Sequence, residues 1–358
     1  MGLLGLKLTA ALLIGLSLLS LSTAKAWWFR VTDFPRVQLA TAAFLWLITA
    51  GAHALISDKA SLEWYWLLSV AAVLAFQLWW IWPATRFHSK EVPDAAAGDD
   101  APTLSLLSAN VLMDNHESSL LLDLVADVKP DILATLESDS WWQAKLDTLS
   151  DYPYRLAQPL DNKYGMHLYS RLPLKEAKIE FLVSDDIPSM NVKLDIADTE
   201  VRLHIVHPTP PAPTENPSSE DRDVELLLLA EFLKDSRMPI IVSGDLNDVG
   251  WSKTTRLFRT VSGLLDPRTG RGMFNTFHAD YWFLRWPLDH IFVSRHWRVK
   301  SIKRLTHIGS DHFPVFISLT LNDPVDVDSP PDQETSDEEL RSTTLNSEAA
   351  KQASMPQQ

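Results

Sequence analysis

The 358-residue chain contains no cysteine. That excludes a disulfide framework, thiolate metal sites and cysteine nucleophiles, so any chemistry must rest on oxygen and nitrogen groups. It does not fix the compartment, because exported proteins without disulfides exist as well. Positive charge is also scarce: 32 Lys and Arg face 46 Asp and Glu, a formal net charge of −14. Such a balance at face value disfavours a phosphate-rich partner. Half of it, however, sits in residues 322–358, which carry nine acids against Arg341 and Lys351. That acidic tail is rich in Ser, Pro and Gln and poor in aromatics, and is predicted to be disordered.

What is present begins with apolar length. Residues 3–22 are interrupted only by Lys7 among charged side chains, residues 37–56 hold Gln38 and His53, and residues 64–82 hold Gln77. Each run approaches the ~20 residues that cross a bilayer core as a helix. Trp27 and Trp28 after the first, and Trp79, Trp80 and Trp82 at the end of the third, suit the aromatic belt of a membrane interface. Residues 1–88 are therefore expected to form three transmembrane helices that anchor the chain in a lipid bilayer, as an integral protein of an inner or plasma membrane. Ala24-Lys25-Ala26 also resembles the cleavage site of a secretory signal, although the apolar run before it exceeds the usual ~7–15 residues. Cues to orientation oppose each other. Lys25, Arg30, Arg36, Arg86 and Lys90, against Lys59 in the second loop, put the first loop and the C-terminal part in the cytoplasm. A cationic start at Lys7 on a first helix that begins inside puts them outside.

Residues 89–102, SKEVPDAAAGDDAP, read as a linker. Beyond it, residues 103–321 alternate short strand-like and helical runs. Strands are predicted at 104–112, 132–136, 166–169, 178–183, 190–196, 201–206, 240–242, 288–293 and 315–319, and helices at 118–128, 141–149 and 222–235. Strands outnumber helices, and several are adjacent in a way that suits antiparallel hairpins. The expected class is α/β (α+β), with two packed sheets and helices outside them, rather than a doubly wound parallel sheet.

Chemistry-bearing residues gather where these strands end. Asn110, Glu137, His207, Asp245 with Asn247 in PIIVSGDLN, Asp289 in PLDHIFVS, and Asp311-His312 in GSDHFPVF all occupy such positions. Groups at the same end of neighbouring strands converge in space, on loops held by a rigid sheet. Each alone has a plain structural explanation: a turn for Gly244-Asp245, a hydrogen-bonded core residue for His207, a cap for Ser310, an ion pair for Asp289 beside His290. Together, and with Tyr164-Gly165 and Leu168–Leu174 between them, they resemble in kind and order the endonuclease/exonuclease/phosphatase superfamily. The likeness covers about residues 103–321 and leaves out the membrane region and the tail.

The resemblance implies a four-layer αββα sandwich that hydrolyses phosphate esters with a divalent cation, Mg2+ or Mn2+. Magnesium takes oxygen ligands, one or two carboxylates beside water and substrate oxygens, so Glu137, Asp311 and Asn110 are the candidate ligands. By similarity, Asp245 orients or deprotonates the attacking water and Asn247 is a neutral donor beside it. His312 bonds the phosphate with its ring held by Asp289, and His207 is a second phosphate contact. Asp248 is left as a turn or helix-capping residue. Two departures stand out. Leu112 lies where some abasic-site nucleases of the superfamily have a second acid, and His207 is followed by the proline-rich PTPPAPTENP.

The substrate is open between several esters. Eleven Lys or Arg against three Asp between Lys253 and Arg304, interleaved with Trp282, Phe283, Trp286 and Trp297, suit a nucleic-acid backbone with stacked bases. They equally suit phospholipid headgroups, or form an ordinary solvated face. Endonuclease or exonuclease action is the first expectation. Phospholipid or sphingomyelin phosphodiesterase and inositol phosphate phosphatase are the alternatives, and a non-catalytic membrane-tethered binding module is the reading from another class.

Overall fold

The structure is a computed structural model that describes residues 2–56, 63–323, 341, 342, 344–347 and 350. Its N-terminal part is a bundle of α1 (Leu3–Leu19), α3 (Arg36–Ile56) and α4 (Trp64–Ile81), with the single turn α2 (Trp27–Arg30) between the first two. Leu6, Ala10 and Leu13 of α1 pack on Ala43 and Trp46 of α3 and on Val70 of α4. Leu8, Leu12, Phe44, Leu45, Ile48 and Leu68 instead point outward and are exposed. Apolar side chains thus cover part of the bundle's exterior. Among the described residues two helices, Arg36–Ile56 and Trp64–Ala84, are long and apolar enough to cross a membrane. The first apolar helix has only 17 residues, short of the ~20 expected of a span, so length supports two of the three anticipated crossings.

Charge inside this bundle is paired. Arg36, 1 % exposed, donates to Asp33 Oδ1 at 2.5 Å and Gln77 Oε1 at 3.2 Å, and Gln77 donates to Ser17 Oγ at 2.9 Å. Lys25 and Arg30 pair with Glu220 and Asp223 of the following domain. The cations of the first loop therefore bind protein carboxylates, which removes their weight as markers of membrane side. Lys59, the cation of the second loop, lies outside the described residues.

The following domain carries β1 (Thr103–Asn110), α5 (Ser118–Val128), β2 (Ile132–Leu136), α6 (Ser140–Leu146), β3 (Tyr154–Gln158), β4 (Met166–Ser170), β5 (Lys175–Glu180), β6 (Ser189–Ile196), β7 (Thr199–Val206), α7 (Glu220–Leu233), β8 (Ile240–Asp245), α8 (Lys253–Ser262), β9 (Asp289–Val293), β10 (Trp297–Arg304) and β11 (Val315–Leu321). One sheet runs β10-β11-β1-β2-β4-β3 and the other β5-β6-β7-β8-β9. Only β1 with β2 and β7 with β8 are parallel, and the other pairs are antiparallel.

Side-chain alternation builds the layers. Leu104 and Leu106 of β1 face Leu203 and Ile205 of β7 in a core between the sheets. Leu107 and Ala109 face outward onto Leu121 and Val125 of α5 and Trp142 of α6. On the second sheet Ile241 points inward while Ile240 and Val242 meet Leu226 and Leu229 of α7 and Phe258 of α8. The result is helices, sheet, sheet, helices, as the anticipated αββα sandwich requires. Of the tail expected to be disordered, the described residues depart from that expectation. Arg341 pairs with Glu231, and Leu345 and Ala350 pack against the α7 layer. The rest of the tail beyond Asp323 lies outside the described residues.

Candidate active site

The parallel pairs set the site. β1 and β2 both end toward Asn110 and Glu137, β7 and β8 both end toward His207 and Asp245, and antiparallel β9 begins there, with Asp289 opposite Asp245. Gly244 is required on this path. Its φ is +153°, and a Cβ there would stand 1.9 Å from the carbonyl oxygen of Val206. Glu137 and Asn247 follow the ends of β2 and β8 with φ of +55° and +51°, a left-handed conformation that costs side-chain-bearing residues ~1–3 kcal/mol and gathers at functional sites.

Asn110 joins the two sheets. Its Nδ2 donates to Glu137 Oε1 at 2.7 Å and to Asp245 Oδ2 at 3.2 Å, while its Oδ1 accepts from the Leu112 amide. The amide presents its donor side to the carboxylates, an orientation that positions them and differs from the expected ligand role of Asn110. Burial raises the pKa of Glu137 above the usual carboxylate value, against the lowering influence of His207, the Asn110 bond and His312. Asp311, partly exposed beside it, raises it further.

A second chain of contacts runs through His312. Its Nδ1 meets Asp289 Oδ2 at 2.7 Å and its Nε2 lies 3.4 Å from Asp245 Oδ2. Burial alone would lower the imidazole pKa, but Asp289 and Asp245 outweigh it and raise it to about 10. The ring is therefore a cation near neutral pH. Asp245, Asp289 and His312 lie close enough to surround an ion, within 4.8 Å of one another. His312 meets Asp289 through a hydrogen bond and Asp245 through an ion pair, so the trio is a closely coupled charged cluster at the strand ends. Oxygen donors suited to a hard divalent cation remain at Glu137 and Asp311, as Mg2+ demands.

The last elements complete the rim. His207 Nε2 is 3.9 Å from Asp245 Oδ2, and its Nδ1 is buried without a partner among the described residues. Asn247 donates through its backbone N–H to Asp245 Oδ1 at 2.9 Å, while Nδ2 donates one hydrogen to Pro208 O at 3.0 Å and keeps a second. All eight anticipated residues thus lie at one end of the two sheets.

Other residues at this end were not legible as such. Arg222 of α7 bonds Asn247 O at 2.9 Å and pairs with Asp223 and Asp248. Asp248 is thereby a buried ion-pair partner that also accepts from Ser252 Oγ, and the cap of α8 is Ser252 itself. Phe277 packs its ring 4.9 Å from that of His312. His290 points away, bonded to Arg268 and to the carbonyl of Asp248, and burial with the Arg268 charge lowers its pKa to about 3. No sequence period distinguishes Arg222 or Phe277 from other polar or aromatic positions.

The fold and these contacts agree with comparisons to known proteins. The model of the Endonuclease/Exonuclease/phosphatase family matches residues 107–312, more than half of the chain. The chain belongs to this family. Its matched span begins in β1 and ends at His312, so it takes in every residue of the site just described. Among solved structures, the family member from Beutenbergia cavernae has 16% sequence identity and a TM-score of 0.51 over 62% of this chain and 72% of its own. TDP2 of D. rerio complexed with a single strand DNA product gives 14%, 0.51, 62% and 100%, and the catalytic domain of human Nocturnin with bound sulfate 18%, 0.50, 66% and 99%. At these identities the likeness concerns the fold. A UPF0294 protein of Vibrio parahaemolyticus is 31% identical over 105 residues, so the chain spans 36% of that relative's length and the match takes in 29% of its own.

Proposed function

We propose that the chain is a membrane-anchored, divalent-metal-dependent phosphodiesterase. The observation that carries this reading is a cationic His312, bonded to Asp289 and 3.4 Å from Asp245, beside the carboxylates of Glu137 and Asp311. Positive charge placed before binding suits an anionic phosphoryl group, and a buried carboxylate next to it suits the water that attacks.

Glu137 and Asp311 would hold Mg2+ or Mn2+, which supplies neutralisation of charge on the phosphoryl oxygens. Asp245 orients the water and accepts its proton. His312 and His207 bond phosphoryl oxygens, Asp289 keeps the His312 ring in place, and the second N–H of Asn247 is a neutral donor. Water oxygen bonds phosphorus, one P–O ester bond breaks, and the departing oxygen leaves as an alcohol carrying a proton. The domain limits anticipated from the sequence, residues 1–88, 89–102, 103–321 and 322–358, stay part of this reading.

The basic stretch supports nuclease action less than its composition implies. In the 253–304 stretch, Arg259 pairs with Glu91, Arg268 with Asp266 and Arg271 with Asp94, while Arg285 and Arg304 lie over Phe313. Those charges serve the fold instead of forming an open track for nucleic acid. The test is hydrolysis of bis(4-nitrophenyl) phosphate, a soluble diester, by the purified full chain with Mg2+ or with EDTA, beside Asp245→Asn and Glu137→Gln. Turnover that needs the metal and is lost in both variants supports the reading, and turnover indifferent to either defeats it.

A further inference from the structure

The catalytic end of the sheets faces the apolar helices. Val249, Trp251 and Leu288, which flank Asp245 and Asp289, share one hydrophobic cluster with Phe34, Val37, Trp80 and Ile81 of the helical bundle. Trp251 also donates through Nε1 to Asp33 O at 2.7 Å. Residues just beyond His207 are tied down in the same direction: Ala26 bridges Ser218, and the Trp27 amide donates to Pro217 O. The catalytic end of the sheets is therefore packed directly against the helices proposed to be embedded.

Two features lie between the site and those helices. A cavity of about 410 Å3 is walled by Leu16 of α1, Val31, Phe34, Leu39 of α3, Phe277 and Trp286. One wall belongs to the membrane helices, and the other, Phe277, packs on His312. The second feature is the loop that leaves Phe277. Phe277 pairs with Trp286, the Ala279 amide donates to Asp311 O at 2.7 Å, and the tip Tyr281-Trp282-Phe283-Leu284 is exposed, Trp282 by 79 %. Gln38 of α3 donates to Phe283 O, so the tip stands beside a proposed span. Four consecutive exposed apolar side chains are a liability in water, whereas Trp and Tyr are favoured at the bilayer interface.

We propose that the substrate is a phospholipid of the bilayer that holds the chain, bound with its headgroup phosphate at His207, Asp245 and His312 and one acyl chain in the Leu16–Leu39–Phe277 cavity. This rests on the phosphodiesterase reading above. Tyr281, Trp282, Phe283 and Leu284 enter the bilayer beside α3 and open the path along which the lipid rises. Continuity decides the occupant: a cavity walled by bilayer-facing helices on one side and by a contact of the phosphate-binding histidine on the other matches a molecule with an apolar tail and a phosphodiester head. Water supplies the oxygen that bonds phosphorus, one ester P–O bond of the headgroup breaks, and the released alcohol keeps the proton.

The test reconstitutes the full chain in vesicles of phosphatidylethanolamine and phosphatidylglycerol with Mg2+, and follows the release of headgroup or phosphorylated headgroup. Bis(4-nitrophenyl) phosphate and single-stranded DNA are supplied in parallel. Phospholipid hydrolysis is expected, and the ratio of lipid to soluble-diester turnover should fall about tenfold in Trp282→Ser/Phe283→Ser, which weakens bilayer contact. Val31→Trp, which fills the cavity from its exposed rim, should lower the same ratio without touching the loop. Soluble-diester turnover with intact lipids overturns the inference and leaves the phosphodiesterase reading standing, as does cleavage of DNA alone. Lipid turnover unchanged in both variants overturns the assigned path. Loss of turnover on all three substrates defeats both.

Discussion

At the scale of single residues, the site separates charge by function. His312 is held cationic by two carboxylates, and Glu137 is pushed toward its neutral form by burial, so one has its counter-charge built in while the other awaits a counter-ion. Replacing Asp245 with Asn keeps its shape but removes the carboxylate, and turnover should fall ~10²–10⁴-fold in initial-rate assays. The raised pKa of His312 has a definite sign. Its contribution to stability is complete below the ordinary value of 6.5 and is lost as pH rises through about 10. Melting temperature should therefore drop over that alkaline window in the wild-type chain, and the drop should be absent from His312→Gln. The residues that touch each other here were visible as chemistry at strand ends. Arg222 was not, because nothing local marks a cation on a helix as the partner of a loop carbonyl in another element.

At the scale of elements, legibility followed burial. β1, β2, β7 and β8 carry apolar side chains on both faces, and their runs were readable within a few residues. β3 and β10 sit at the edges of the first sheet, where Tyr154 and Arg155 or Lys303 and Arg304 face solvent, and the alternation is diluted by charge. α8 was likewise hidden in the basic stretch, although Leu257 and Phe258 bury one of its faces. At Gly244, β8 leaves no room for a Cβ beside the Val206 carbonyl of β7. Gly244→Ala should push β8 from β7 and lower stability by at least ~2 kcal/mol in chemical denaturation of the full chain. Because Asp245 is the next residue, activity should fall along with it.

At the scale of the whole molecule, helices and sandwich are one built unit joined by Arg30 to Asp223, Lys25 to Glu220 and Trp251 to Asp33. Sequence alone separated a membrane region from a catalytic region at a linker, but it had no means to foresee that the two would meet at the catalytic end. Such contacts join residues about two hundred positions apart, and no period or motif encodes them. If the helices are embedded as proposed, the full chain should sediment with membranes, resist extraction by high salt, and be released by detergent.

If the substrate is the bilayer phospholipid proposed above, the docking of Trp251 against Asp33 also sets the kinetic law of turnover. A catalytic mouth turned toward the sheet of molecules that contains it samples composition in two dimensions. Adding inert lipid to the same vesicles then slows each turnover, whereas thinning the whole suspension with buffer leaves it unchanged.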